Sequence, residues 1–204
     1  MIPAFDPKKD RYESDMISEI ESVEDVYEEL DFENCVFKKC RFFQCQFRNC
    51  HFSNCTFENC DLSVVKFTKC SFSSLTFIKT KLIGIDWYDT FRFSLTMQCY
   101  GCVINYSSFV HVKLKSFVLE ECTAHDVDFS EADMHNACCK DTDFQGSIFR
   151  RTNLSGADFT GAKNYAINPA HNNVKKARFS LPEVLSLLAE TGIIIADEVE
   201  QRIV

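Results

Sequence analysis

Large apolar residues recur at every fifth position over much of the chain. From residue 30 the sequence reads LDFEN CVFKK CRFFQ CQFRN CHFSN CTFEN CDLSV VKFTK CSFSS LTFIK TKLIG IDWYD. The residues in third place of these groups are Phe32, Phe37, Phe42, Phe47, Phe52, Phe57, Leu62, Phe67, Phe72, Phe77, Leu82 and Trp87. A smaller residue stands two positions before each of them, and in seven of the twelve groups it is cysteine.

This period fits neither a continuous α-helix nor a straight β-strand. Five residues advance an α-helix by about 140°, so the large residues would scatter round every side. Side chains in a strand alternate every two residues, so successive large residues would face opposite ways. The chain can bury all twelve only if it turns once in each group. The pattern therefore predicts an all-β fold, a β-solenoid of stacked parallel coils about 4.8 Å apart, with the large and the small residue inside.

The pattern breaks after Trp87 and returns shifted by two positions. The second set of large residues consists of Ile104, Phe109, Leu114, Leu119, Ala124, Phe129, Met134, Cys139, Phe144, Phe149, Leu154 and Phe159. Their small partners are Cys102, Ser107, Val112, Phe117, Cys122, Val127, Ala132, Ala137, Thr142, Ser147, Thr152 and Ala157. Residues 88–101 are therefore predicted to hold a bulge or short loop, which is either a kink or a partner contact.

The end of the second block carries a family signature. It reads FRRTNLSGADFTGAKN, in which NLSGADFTGA resembles the pentapeptide-repeat family with its consensus A-(D/N)-L-x-x. The resemblance covers about residues 30–163. It implies a right-handed quadrilateral parallel β-helix with four pentapeptides in each coil and Leu or Phe inside. Phe32, Phe52 and Phe72 would then stack in one column, and burial of each side chain is worth roughly 1.5–3 kcal/mol.

Composition adds the question of the cysteines. The chain has 204 residues, a length that suits one domain, or at most one domain with an appendage, and it holds 12 Cys against 6 Gly. Zinc and iron–sulfur sites need C-x2-C pairs that converge, whereas the C-x4-C spacing places each cysteine on a different side of the coil. Cys99 and Cys102 form a lone C-x2-C pair without further ligands nearby. We therefore predict reduced, structural cysteines that act as small apolar residues, with no metal and no cofactor.

Several function classes find no support in the sequence. No run approaches the ~20 apolar residues of a membrane span, and the start MIPAFDPKKDRYESD has no signal-peptide core. These features predict a cytoplasmic protein that does not contact a membrane. The five histidines are dispersed and no Gly-rich phosphate loop is present, so we predict no enzymatic activity. A net charge of −8 argues against nucleic-acid binding.

Charge is segregated along the chain. Residues 12–33 hold ten acidic and no basic side chains, residues 34–82 hold two acidic and eight basic ones, and residues 116–147 hold eight acidic and one basic. The acidic residues of the last stretch, all predicted to point outward, are Glu120, Glu121, Asp126, Asp128, Glu131, Asp133, Asp141 and Asp143. They predict a partner-binding surface suited to a positively charged groove, and the alternative is a solvated face that aids solubility.

Both ends of the chain are predicted to lie outside the repeats. Residues 1–29 are interpreted as an N-terminal arm and cap, and residues 164–204 as a C-terminal helix and strand. In the tail, Ser180 and Glu183 fit a capping box, Pro182 suits the first turn, and Gly192 suits the stop. The predicted dimer contacts are Phe179, Leu181, Val184, Leu185, Leu188, Ile193, Ile194 and Ile195. An open solenoid end must be covered, so the alternative for this helix is an intramolecular cap.

The tail also resembles part of the same family. Residues 171–188 read HNNVKKARFSLPEVLSLL and resemble the albicidin-resistance branch, and the overall layout resembles the quinolone-resistance and microcin-immunity branches. This resemblance implies a homodimer joined at its C-termini, whose acidic rod imitates duplex DNA. It implies binding to DNA gyrase or topoisomerase IV and protection of that enzyme from a poison. The alternative is a structural scaffold or protein-interaction module with an unrelated cytoplasmic partner.

Overall fold

The computed structural model describes residues 9–88 and 95–194. They form the predicted right-handed quadrilateral parallel β-helix, with about 8 turns. Residues 20 apart in the chain stack in successive coils, so that Phe32 pairs with Phe52 and Phe57 with Phe77. One coil therefore contains four pentapeptides, and each pentapeptide supplies one face and one corner.

The described residues contain 17 short strands and one 3₁₀ helix, Glu183–Leu188. In chain order the strands are β1 (Arg11–Glu13), β2 (Met16–Ser18), β3 (Glu21–Val23), β4 (Val26–Glu28), β5 (Asp31–Glu33), β6 (Val36–Lys38), β7 (Arg41–Phe43), β8 (Gln46–Arg48), β9 (His51–Ser53), β10 (Thr56–Glu58), β11 (Lys66–Thr68), β12 (Ser71–Ser73), β13 (Leu75–Ile78), β14 (Leu95–Tyr100), β15 (Leu114–Glu120), β16 (Asp158–Phe159) and β17 (Arg178–Phe179). We number the four faces of the solenoid from the strands β1 to β4 of the first coil.

Strand pairing follows these faces. β1, β5, β9 and β12 stack on the first face, and β4, β8 and β11 stack on the fourth. The second face is the longest sheet and runs through β2, β6, β10, β13, β14 and β15, and β3 and β7 pair on the third face. Single parallel bridges continue all four faces in the later coils, for example between Asp128 and Ile148. Every described coil thus pairs with the next through backbone hydrogen bonds.

The first coil begins earlier than the prediction. Residues 11–29 form a complete coil on which the next one stacks, and not an arm outside the repeats. Its inner positions include Ser22 and Tyr27 in place of phenylalanine, so the five-residue period is hard to see there. The Ser22 hydroxyl lies 2.6 Å from Asp25 Oδ2, 2.6 Å from Tyr27 Oη and 3.2 Å from Cys45 Sγ. A polar network therefore takes the place of a buried ring at this position of the first coil.

The predicted large residues form the core of the solenoid. All are buried except Phe72, which is partly buried. Their rings stack from coil to coil, with centroids 4.4 Å apart for Phe37 and Phe57. Trp87 continues such a column, because it stacks on Phe109 at 5.8 Å. The core therefore runs without a break across the shift in register.

Residues 88–101, predicted to hold a bulge or short loop, do interrupt the regular pairing of the coils. Across it the pairing offset changes from 20 to 22 residues, since Asp86 pairs with Ser108. Residues 95–100 are not a loop but β14, which pairs in parallel with both β13 and β15. Residues 89–94 lie outside the described residues. The register settles only within β14, because its pairing with β15 has an offset of 19 residues at Leu95 and Thr96 and of 20 residues from Gln98 onward.

The small inner position is polar as well as small, which the prediction of apolar cysteines missed. Cys60 Sγ accepts a hydrogen bond from the N–H of Cys40 at 3.4 Å and donates to the carbonyl of Phe37 at 3.4 Å. Thr80 Oγ1 has the same role one coil later, since it accepts from the N–H of Cys60 and donates to Phe57. Thiols and hydroxyls therefore satisfy backbone groups at the corners, where backbone pairing between coils has a gap. All 12 cysteines are free.

Candidate interaction surfaces

The eight carboxylates predicted to bind a partner point outward, but they do so on all four sides of the rod. Each corner is counted here with the face before it. The first face carries Asp133, and the second carries Glu120, Glu121 and Asp141. The third face carries Asp126 and Asp143, and the fourth carries Asp128 and Glu131. None of them is buried. The structure therefore brings them together as a belt round two coils and not as one patch.

Two of the eight carboxylates are neutralised within the chain. Glu131 accepts a hydrogen bond from Arg151 and lies 3.0 Å from His111 Nδ1. The hydrogen bond from Arg151 holds the pKa of Glu131 below its usual value. Asp143 Oδ2 lies 3.6 Å from Lys163 Nζ. The charge of the belt is consequently weaker than the count of acidic residues suggests.

Two further carboxylates pack against glycines of the next coil. Asp126 Oδ1 lies beneath Gly146, and Asp141 Oδ1 lies beneath Gly161, so a Cβ at either glycine would clash with the carboxylate. Both glycines have φ of +72°, a conformation that disfavours other residues. These aspartates are thus partly used in building corners.

The strongest candidate for a partner contact is a smaller acidic cluster at the second face. Glu120 and Glu121 have no ion pair among the described residues, and Asp141 follows Glu121 in the next coil, about 4.8 Å further along. The neighbouring base, Lys140, lies 3.7 Å from Asp158. We call Glu120, Glu121 and Asp141 the acidic corner.

Basic residues of the stretch 34–82 offset the acidic first coil. Arg41 lies 3.7 Å from Glu21 and 3.9 Å from Asp61, and Arg48 lies 2.9 Å from Glu28. These pairs join successive coils and are exposed, so each adds little to stability. The N-terminal acidic stretch is therefore part of a mixed surface.

The C-terminal segment differs from the predicted capped α-helix. Its helix is the six-residue 3₁₀ helix Glu183–Leu188, and no side chain caps it. The Ser180 hydroxyl instead accepts a hydrogen bond from the N–H of Gly161 at 2.9 Å. The capping-box prediction was therefore wrong, because Ser180 is used to join the tail to the last coil. Gly192 does have the left-handed backbone, with φ of 74°.

The predicted dimer contacts divide into two groups. Phe179 stacks on Phe159 at 5.3 Å and packs against the core together with Leu187, which was not among the predicted contacts. Val184 and Leu188 are half-buried. The exposed members are Leu181 (76%), Leu185 (41%), Ile193 (59%) and Ile194 (92%). Ile193 and Ile194 form no strand, and Ile195 lies outside the described residues. The tail thus covers the core and still exposes apolar side chains.

The described residues offer no other obvious site. They contain no group of three His, Cys, Asp or Glu side chains arranged to hold a metal ion. None of the helices in that part of the chain is long and apolar enough to cross a membrane.

Comparison with known proteins agrees with this architecture. The family profile "Pentapeptide repeat region" matches residues 30–91, and "Pentapeptide repeats (8 copies)" matches residues 137–163. The solved structure of full-length QnrB1, described as a plasmid-mediated fluoroquinolone resistance protein, is similar with a TM-score of 0.56 and 17% identity, over 88% of this chain and 100% of that one. HetL from the cyanobacterium Nostoc sp. strain PCC 7120, described as involved in heterocyst differentiation regulation, is similar with a TM-score of 0.33 and 14% identity, over 83% and 86% of the two chains. No curated protein matches the sequence significantly.

A solenoid of four-sided coils with one pentapeptide on each side defines a class of repeat proteins. The chain carries pentapeptide repeats of that family at residues 30–91 and 137–163, as both profile matches show, and its fold agrees with them.

Proposed function

We propose that this protein binds DNA gyrase or topoisomerase IV and protects the enzyme from a poison. The observation that carries the proposal is the acidic corner, where Glu120 and Glu121 are without an ion pair among the described residues and Asp141 follows in the next coil. Such a surface is complementary to a groove that binds DNA phosphates. The fold likeness to a fluoroquinolone-resistance protein over nearly the full length of both chains supports this choice of partner.

The dimensions of the rod suit this role. Eight coils at about 4.8 Å each give a length of about 38 Å, and two copies joined end to end would reach about twice that. The exposed Leu181 and Leu185 at the C-terminal end support an end-to-end homodimer. The protein then acts by binding and not by catalysis, in the cytoplasm.

The test of the partner is quinolone-induced DNA cleavage by purified gyrase, measured with increasing amounts of the protein. Glu120→Gln with Glu121→Gln should weaken protection about tenfold at low salt, because carboxylates that replace phosphates are lost. The matched control is Glu24→Gln with Glu29→Gln, which removes two corner carboxylates from the first coil. Equal loss in both double variants would contradict a specific role of the acidic corner.

Binding should also weaken steeply as salt rises, since the contact is electrostatic. The absence of binding, protection and inhibition at low salt would overturn the proposal and favour the scaffold alternative. Topoisomerase IV would be tested in parallel, with the same two double variants.

The dimer is tested separately by light scattering. Leu181→Asp with Leu185→Asp should convert the dimer to a monomer, because charge would enter an apolar interface. Both side chains are exposed in the single chain, so the variant should still fold. Met16→Asp, at a residue 73% exposed near the opposite end, is the control. A monomeric wild type, or a variant that stays dimeric, would contradict this interface.

A further inference from the structure

The C-terminal end of the solenoid has the opposite charge to the acidic belt that precedes it. Residues 116–143 hold eight acidic side chains and one basic one, whereas residues 144–182 hold six basic side chains and one acidic one. The six basic residues, all of them exposed, are Arg150, Arg151, Lys163, Lys175, Lys176 and Arg178. The net charge of −8 for the whole chain therefore averages over a region that is positive.

Three of these cations and a histidine are grouped around the first face. Arg150 lies at the end of the fourth face, and His171 lies one coil further on at the next corner, since the Arg151 N–H donates to its carbonyl. Lys175 follows on the first face, and Lys176 lies at the corner after it. We call Arg150, His171, Lys175 and Lys176 the basic end.

The carboxylates nearest to the basic end on the first face and its corner are engaged within the chain. Glu131 accepts a hydrogen bond from Arg151, and Asp133 accepts one from the amide of Asn153 at 2.7 Å. The four side chains of the basic end, in contrast, have no ion pair among the described residues. The cations of this surface are therefore available to a partner, whereas its carboxylates are already bonded.

Carboxylates further round the end of the rod are engaged too. Asp158 on the second face lies 3.7 Å from Lys140 Nζ and 3.9 Å from Arg178 Nη1. In the tail, Glu190 accepts a hydrogen bond from Asn168. With the tail included, residues 144–194 hold six basic and three acidic side chains. The end of the solenoid is thus positive even when every carboxylate of these residues is counted.

The first face between these cations carries only hydrogen-bonding side chains. Its outward residues are Asn153, Ser155, Asn173 and Lys175, and Asn173 Nδ2 donates to Asn153 Oδ1 at 3.1 Å. None of the exposed large apolar side chains among the described residues lies on this part of the first face. Protein interfaces are centred on aromatic or apolar anchors, whereas phosphate contacts are made by Arg, Lys, Asn and Ser. The composition therefore favours a nucleic-acid backbone over a protein as the partner.

We propose that the basic end binds the phosphate backbone of duplex DNA without reading its sequence. Duplex DNA carries one negative charge for about every 1.7 Å of its axis, so a surface of this size meets several phosphates at once. Arg150, Lys175 and Lys176 contact phosphates, and the amides and hydroxyl of the first face add hydrogen bonds to phosphate or sugar. The described residues of this surface offer no exposed aromatic ring on which unpaired bases would stack, which favours a duplex over a single strand.

This contact goes beyond the proposed function, because it needs no topoisomerase. The acidic corner lies on the second face and at the corner after it, on the coils that precede the basic end, and its charge is opposite. The two surfaces therefore select different partners. Failure of one contact would leave the other in place.

The test is fluorescence anisotropy of a fluorescein-labelled duplex of about 20 base pairs, titrated with the full chain in the absence of any enzyme. We expect binding at about 50 mM salt, and the logarithm of the affinity should fall linearly with the logarithm of salt concentration, with a slope of about −3 for about three phosphates. Lys175→Gln with Lys176→Gln should weaken binding about tenfold at low salt and make the slope shallower by about two. Both side chains are exposed, so this variant should melt at the wild-type temperature.

The matched control is Lys66→Gln with Lys69→Gln, which removes two exposed lysines without an ion pair among the described residues. They lie on the fourth face of an earlier coil and at the corner after it, and their loss should leave DNA binding unchanged. Glu120→Gln with Glu121→Gln should also keep DNA binding, so that loss of protection and loss of DNA binding are separate outcomes.

Four results would overturn the proposal. They are no binding at low salt, a slope near zero, equal weakening in the two lysine variants, and tighter binding of oligo-dT than of the duplex. Displacement of the duplex by an equal concentration of poly-glutamate would also contradict it, because the surface would then accept any polyanion.

Discussion

The coils before Trp87 and those after Ile104 turn their corners in different ways. In the later coils the N–H of the small residue usually donates to the carbonyl of the large residue three positions before it, as Ala132 does to Phe129 at 3.1 Å. We call a corner with this bond closed and a corner without it open. In the earlier coils the described residues contain one closed corner, where the N–H of Val65 donates to the carbonyl of Leu62. The other described corners of the earlier coils are open, and their thiols and hydroxyls bond to the neighbouring coils instead. Thr142 and Ser147 do the same at the open corners of the later coils, where they accept from the N–H groups of Cys122 and Val127. One solenoid therefore contains two solutions to the same backbone problem.

The residue before the large one accounts for much of this difference. In the later coils it is often Asp or Asn, whose side chain accepts the N–H two residues on, as Asp128 does from Ser130 at 2.8 Å. The one closed corner of the earlier coils has Asp61 in that place, and Asp61 accepts from the N–H of Ser63 at 3.0 Å. Such Asx turns tighten the backbone so that the corner bond can form. The aspartate of the family consensus thus has a structural role.

The largest expected effect tests whether the two regions share one core. Phe57→Ala and Phe129→Ala should each destabilise the fold by about 3–5 kcal/mol, since each ring is buried and stacked on the coils before and after it. Both variants should unfold in a single urea transition that is followed by circular dichroism. Two separate transitions, with only one of them shifted in each variant, would show that the regions fold independently.

The next effect concerns the open corners. Cys60→Ala removes the acceptor of the Cys40 N–H and should cost about 1–3 kcal/mol, because a buried donor is left unsatisfied. Cys60→Thr should cost much less, since Thr80 and Thr142 fill the same position elsewhere. Urea denaturation of both variants would check this. Equal losses for alanine and threonine would mean that the thiol acts through packing alone.

A smaller effect distinguishes the closed corners from the open ones. Asp128→Ala should cost about 1 kcal/mol, because the Asx turn before Phe129 is lost. Thr56→Ala, at the equivalent place before Phe57 in an open corner, should leave the free energy of unfolding nearly unchanged. The comparison is again by urea denaturation. If Thr56→Ala were as costly as Asp128→Ala, the Asx turn would not explain the difference.

The fold followed from the sequence because one period, repeated over more than a hundred residues, allows few ways to bury its large side chains. The number of faces came from the family resemblance and not from the spacing. The first coil was missed, since Ser22 and Tyr27 interrupt the run of phenylalanines that signals the repeat. The tail was misjudged for a related reason, because the local capping pattern of Ser180 competes with a hydrogen bond to the distant Gly161.

The candidate site was predictable only in part. Outward positions of acidic residues follow from the period, and none of the eight is buried. Which of them are free does not follow, because cross-coil pairs such as Glu131 with Arg151 depend on the 20-residue stacking of long side chains. The basic end was missed because the charge of −8 was taken over the whole chain, although the six basic side chains of residues 144–182 can be counted in the sequence.

The smallest expected effect is a pH dependence confined to the later coils. Burial tends to raise the pKa of Asp143, but the hydrogen bond from Asn164 and the nearby His125 ring, 3.4 Å away, outweigh it and the pKa is lowered. A carboxylate whose pKa is lower in the folded state stabilises the protein above the unfolded value of about 3.9, and that contribution is lost as pH falls through the folded value. Asn164→Ala should bring the pKa of Asp143 closer to its ordinary value, measured by carboxyl carbon NMR titration. Asn173→Ala, which removes a cross-coil bond to the uncharged Asn153, should leave that titration unchanged. An unaltered pKa in Asn164→Ala would mean that other groups at the third face hold the carboxylate ionised.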